Sequence, residues 1–89
     1  MSQLLLAVQP LRDADIAQLT ELGVTVTTPD TISDDALANV TISYGWSATL
    51  GPKILATPNN HLKWIQTMSA GVDYMPLKEL SAQGILLTN

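Results

Sequence analysis

Apolar and polar positions divide the chain into short blocks with alternating strand-like and helix-like periods. Leu4-Leu5-Leu6-Ala7-Val8 is an unbroken apolar run closed by Gln9 and Pro10, which predicts a strand buried on both faces. Ile16, Leu19 and Leu22 then recur at helical spacing, with Asp13 placed to cap that helix and Gly23 suited to its left-handed close. Val24-Thr25-Val26-Thr27 alternates and is β-branched throughout, so it reads as a second strand, broken by Pro29. Ser33 followed by Asp34 and Asp35 predicts a short helix, because acids favour the positive end of the helix dipole.

The same alternation continues to the end. Val40, Ile42 and Tyr44 share one face of a third strand stopped by Gly45, and Pro52 suits a first helical position before Lys53. Residues 62–66 form a fourth strand, with Trp64 expected in the core. A small-residue loop, Ser69 to Asp73, follows; residues 76–82 make a helix closed by Gly84, and residues 85–88 a fifth strand. Strands that alternate with helices favour a parallel sheet, since each parallel neighbour needs a crossover. The expected fold is α/β: a flavodoxin-like, three-layer α/β/α domain with a five-stranded parallel sheet, spanning residues 1–89. Ligands in such sheets sit beyond the carboxyl ends of the strands. That rule selects Gln9 and Pro10, Thr28, Tyr44 to Trp46, Ser69 to Asp73, and Asn89.

Composition removes several classes. With 46% hydrophobic and 13% charged residues, the 89-residue chain is too apolar for disorder and too mixed for a membrane protein. Four Lys and Arg against eight Asp and Glu give a net charge of −4, too few cations for nucleic-acid binding. Residues 1–35 hold six acids and one Arg, whereas residues 36–89 hold two acids and three Lys, so an anionic ligand suits the second half better. The absence of Cys excludes disulfides, thiolate metal sites and a Cys nucleophile; one His and scattered acids argue against a catalytic metal. Met1-Ser2-Gln3 has no basic residue and the first apolar run is short, so neither a secretory signal nor a membrane span is expected and the protein is read as cytoplasmic.

The loop Ser69 to Asp73 is the most informative stretch. Ala70 and Gly71 lack bulk, so their amides can approach a ligand and form a nest suited to an α-carboxylate. The same residues fit a plain tight turn, with Asp73 capping the next turn through its side chain. Both readings stand on spacing alone.

Leu62-Lys63-Trp64-Ile65-Gln66-Thr67-Met68-Ser69-Ala70-Gly71-Val72-Asp73, closing with Gly84-Ile85-Leu86-Leu87-Thr88-Asn89, resembles the end of the N-terminal substrate-binding domain of D-isomer-specific 2-hydroxyacid dehydrogenases. The resemblance implies that the amides of Ala70 and Gly71 hold the substrate carboxylate, that Ser69 and Val72 shape the same loop, and that Asp73 is structural. It implies hydride transfer between NAD (or NADP) and a small 2-oxo or 2-hydroxy acid in a full-length, homodimeric parent. Thr88 and Asn89 would then lie where the chain crosses to a Rossmann NAD-binding domain. That family's catalytic Arg, Glu and His lie further along than residue 89, and the five glycines are too spread to form its Gly-x-Gly-x-x-Gly cradle. The segment returning to complete the family's first domain is also missing, so the chain is expected to be a truncated first domain, inactive and cofactor-free alone. The alternative is a free-standing flavodoxin-like ligand-binding or protein-interaction module without catalysis.

Other residues weigh less. His61 lies in a polar loop on the edge away from the carboxyl ends and reads as a surface histidine. Tyr44 and Trp46 either line the cleft or continue the core. Asp13, Asp15, Asp34 and Asp35 suggest a receiver domain, but that would need an Asp ending the third strand and a Lys ending the fifth. Those places hold Tyr44-Gly45 and Thr88-Asn89, and Gln9-Pro10-Leu11-Arg12 is no flavodoxin phosphate loop. The acids read as caps and solvated helix starts.

Overall fold

The computed structural model describes residues 3–67 and 76–88. Strand β1 (Gln3–Ala7), with a neighbouring strand on either side, carries the opening apolar run, and Leu5, Leu6 and Ala7, on both its faces, are all buried. Helix α1 (Asp13–Glu21) starts one residue earlier than a cap at Asp13 requires: Arg12, in extended backbone, is the capping position and its side chain caps nothing. Asp13 and Asp15 instead occupy the first turn, where their charge meets the helix dipole. β2 (Val24–Thr27) follows the turn at Gly23, and α2 (Asp34–Leu37) begins where Ser33 Oγ accepts the Ala36 amide at 3.3 Å, as the sequence predicts.

β3 (Ile42–Tyr44) leads to α3 (Leu50–Ala56), whose first turn is tied by Ser47 Oγ accepting from the Leu50 amide at 2.9 Å. Pro52 is the third helical residue rather than the first; the amide it lacks is still one of the four without an intrahelical partner. β4 (Trp64–Gln66), α4 (Leu77–Ala82) and β5 (Leu86–Thr88) complete the order.

All pairings are parallel and the sheet runs β2-β1-β3-β4-β5, the flavodoxin-like order. The step from β1 to β2 goes one way across the sheet and every later step goes the other. Right-handed crossovers therefore put α1 on one face and α2, α3 and α4 on the opposite face. The α2–α4 face is closed: Leu6, Leu37, Val40, Ile54, Leu55, Leu62, Ile65, Leu80 and Ile85 form one buried cluster. No α1 residue is buried, and α1 packs chiefly on β2.

Register determines who faces where. Leu6, Ser43, Ile65 and Leu87 are neighbours across the sheet on the closed face, while Leu5, Ile42, Trp64 and Leu86 are neighbours on the other. Beyond the reach of α1 this second face is open, with Trp64 38% and Leu86 59% exposed. The expected core place of Trp64 is thus corrected: Ile65 is fully buried and its neighbour Trp64 turns the other way. No helix among the described residues is long and apolar enough to cross a membrane.

Candidate functional site

The carboxyl ends of β1, β3 and β4 are knit together by backbone. The amides of Val8 and Gln9 both donate to Tyr44 O at 3.0 Å, and the Gly45 amide donates to Gln66 O at 2.6 Å. Gly45 is required here twice over. Its φ is +93°, and a Cβ would stand 2.8 Å from Gln9 Cγ and 3.3 Å from the Gln9 amide nitrogen. The buried Ser43 hydroxyl donates to Gly45 O at 2.6 Å, so the turn after β3 is held from beneath.

β4 and β5 are tied by a side-chain relay on the open face. Trp64 Nε1 donates to Thr88 Oγ1 at 2.7 Å, and Thr88 Oγ1 donates in turn to Gln66 Oε1. The Thr67 amide donates to Thr88 O at 2.8 Å, which carries the pairing one residue past the end of β4. A residue two positions from Trp64 and its partner on the next strand share a face, so the triad follows from register.

Among the sequence-selected positions, Gln9, Tyr44 and Trp46 gather at this edge. Thr28 is absorbed in a turn of hydroxyls with Thr31, 2.9 Å between the two Oγ1 atoms, that starts the path to α2. Tyr44 is half-buried on the open face, paired with Ala7 and Gln66. Trp46 packs against the core cluster and also lines an apolar cleft of about 560 Å³ with Pro52, Leu55, Pro76 and Glu79. Gly51 makes this possible: a Cβ there would lie 2.5 Å from the Trp46 ring, so α3 can approach the indole only without a side chain. That contact was not read from the sequence, where a helix start at Pro52 leaves Gly51 outside the helical pattern.

Ser69, Ala70, Gly71, Val72, Asp73 and Asn89 lie outside the described residues. On either side of the loop stand Thr67, at the carboxyl end of β4, and Pro76, which borders the Trp46 cleft. His61 is exposed near the amino ends of the strands, its Nδ1 2.9 Å from Ala38 O, as a surface histidine should be. The Arg12 guanidinium, hydrogen-bonded to Asp15 at 3.0 Å, holds that carboxyl below the usual carboxylate range, first through the hydrogen bond and also through charge. The pair is solvent-exposed, at the start of α1. No three His, Cys, Asp or Glu come together among the described residues.

The described glycines do not fit a dinucleotide. Gly23 and Gly84 end helices at φ +86° and +72°, Gly45 closes β3, and Gly51 lies under Trp46, so none opens a helix directly after a strand.

Over residues 5–89 the chain matches the family model described as D-isomer specific 2-hydroxyacid dehydrogenase, catalytic domain. Among solved structures, a phosphoglycerate dehydrogenase from Lactobacillus plantarum superposes with a TM-score of 0.88 at 33% identity, over 98% of this chain and 29% of that one. The apo D-mandelate dehydrogenase of Rhodotorula graminis gives 0.63 at 15% identity, over 98% of this chain and 30% of that one. A Thermus thermophilus protein gives 0.60 at 20% identity, over 96% and 29% respectively. The last two share the fold. A search of curated proteins found no match. The chain therefore spans about 29% of the length of the phosphoglycerate dehydrogenase it resembles.

Proposed function

This chain belongs to the D-isomer-specific 2-hydroxyacid dehydrogenase family, and on that premise we propose that it is the substrate-binding part of an NAD- or NADP-dependent enzyme acting on a small 2-hydroxy or 2-oxo acid. The observation that carries the reading is positional. The family match covers residues 5–89, including those that follow β4, and the carboxyl end of β4 belongs to the edge where ligands bind in sheets of flavodoxin-like order.

The amides of Ala70 and Gly71 hold the substrate carboxylate, and Ser69 and Val72 shape the loop around it. Backbone amides suit the task because hydrogen bonds to a charged oxygen are about twice as strong as neutral ones. A carboxylate fixed at two points orients the neighbouring carbon for reaction. Among the described residues the single His, the usual acid or base, is at the other end of the strands, paired with Ala38 O. Proton transfer and the nicotinamide are therefore assigned to residues beyond this stretch, in a companion NAD-binding domain, and no step through the cofactor is assigned to residues 1–89.

The open sheet face supports the companion segment. A self-contained module would cover Leu86 and Trp64, whereas a domain completed by more of its own protein leaves such a face for that segment. The same reading takes the parent as a cytoplasmic homodimer without nucleic-acid or membrane partners, in keeping with a net charge of −4.

The test is NADH consumption by the whole protein containing this chain, across a panel of 2-oxo acids. Turnover is expected with at least one of them. Gly71→Val should raise KM by roughly tenfold or more, because its side chain would keep the carboxylate from the backbone amides and so forfeit about one charge-assisted hydrogen bond. Residues 1–89 alone should show none. Absence of turnover by the whole protein with every acid would overturn the reading.

A further inference from the structure

A second concavity lies at the opposite end of the sheet from the loop after β4. It is a cleft of about 500 Å³ at the amino ends of β1 to β4, lined by Gln3, Thr25, Asn39, Thr41, His61 and Lys63, with Leu4 beneath their polar groups. Among the described residues no carboxylate lines it, although acids outnumber Lys and Arg by eight to four in the chain.

Its polar groups differ in what they have left to give. The Thr41 hydroxyl is committed, donating to Leu4 O at 3.2 Å and accepting from the Leu4 amide at 3.1 Å, so it fixes the wall. His61 Nδ1 faces Ala38 O at 2.9 Å; a carbonyl only accepts, so Nδ1 carries the proton and Nε2 is the free ring nitrogen. Lys63 is exposed, and the single ion pair among the described residues is Arg12 with Asp15. Its Nζ is therefore a cation without a counter-charge, set beside the uncommitted side chains of Thr25 and Asn39.

We propose that this cleft binds a small phosphate monoester. Lys63 supplies the charge as a compact point cation, and Asn39 and Thr25 supply neutral donors from separate elements, which suits a tetrahedral oxyanion better than a planar carboxylate. Leu4 and the methylene stems of the lining side chains receive the organic body, and the volume falls within the range of small-ligand pockets. The cleft is on the other edge of the sheet from the carboxyl end of β4, so the proposal does not rest on the dehydrogenase reading.

Equilibrium dialysis of inorganic phosphate against the whole protein containing this chain tests it, with oxamate as a competitor directed at the carboxyl edge. Saturable binding is expected, weakened about tenfold by Lys63→Met through loss of a charged hydrogen bond. Lys63→Arg should retain it, and excess oxamate should leave it in place. Lys63 is exposed, so both variants are expected to fold, which an unchanged circular dichroism spectrum would verify. No saturable binding, equal affinity of Lys63→Met and the unaltered protein, or displacement by oxamate would overturn the proposal.

Discussion

The two faces of the sheet are made by the same strands and end in opposite states. On one, Leu6 and Ile65 meet Leu37, Ile54, Leu55 and Leu80 from three helices and are all but sealed from water. On the other, the in-register neighbours Trp64 and Leu86 remain substantially exposed, because α1 is a single helix that reaches chiefly β2. Hydrophobicity does not separate the two faces, since both carry large apolar side chains. Crossover direction does: three of the four crossover steps put their helices on one side. Stability is concentrated in the closed face, and the open face is a surface on which further structure can be built.

The largest effect that should expose this difference is Ile65→Ala. Removing a fully buried side chain from the closed cluster should cost about 2–5 kcal/mol, read from urea unfolding. Next comes Gly51→Ala on the same side of the sheet. Its new methyl collides with the Trp46 ring, so about 1–3 kcal/mol should be lost and Trp46 fluorescence should shift. Leu86→Ala, one strand from Ile65, should cost at most about 1 kcal/mol in residues 1–89 alone. Its cost should grow in the whole protein if a further segment covers the face. Equal costs for Ile65→Ala and Leu86→Ala in residues 1–89 would break the comparison outright.

The smallest effect belongs to Asp15→Asn, where no resolvable change is expected. The carboxyl is held below its ordinary range, so its contribution is complete above the ordinary carboxylate value and fades as pH falls through the lower folded value. Arg12 and Asp15 are both solvent-exposed, and screening keeps the pair weak. An acid-side unfolding profile that moves with Asp15→Asn would show the pair to be more than a surface contact.

The element order and the parallel sheet were legible because Leu4 to Val8, Val24 to Thr27 and the capped start at Ser33 each state one local preference without a competing one. Trp64 was misplaced for a definite reason. Adjacent residues of a strand face opposite ways, so Trp64-Ile65 does not itself say which member points inward, and size suggested the aromatic. Register with Ser43 and Leu87 settles it for Ile65. Asp13 was misjudged by one position, since a cap and a first-turn acid use the same residue types. At the carboxyl edge, Gly45 was legible as a strand stop. The demand for it made by Gln9, thirty-odd residues earlier, depends on pairing between β1 and β3 that no local pattern carries.

The most direct test of the central claim is to titrate oxamate into the whole protein and follow backbone amide resonances. Shifts concentrated at Ala70 and Gly71, with smaller ones at Ser69 and Val72, are the predicted result. Saturating oxamate that leaves those amides unmoved, or moves only residues at the amino edge such as Lys63 and Asn39, would contradict it.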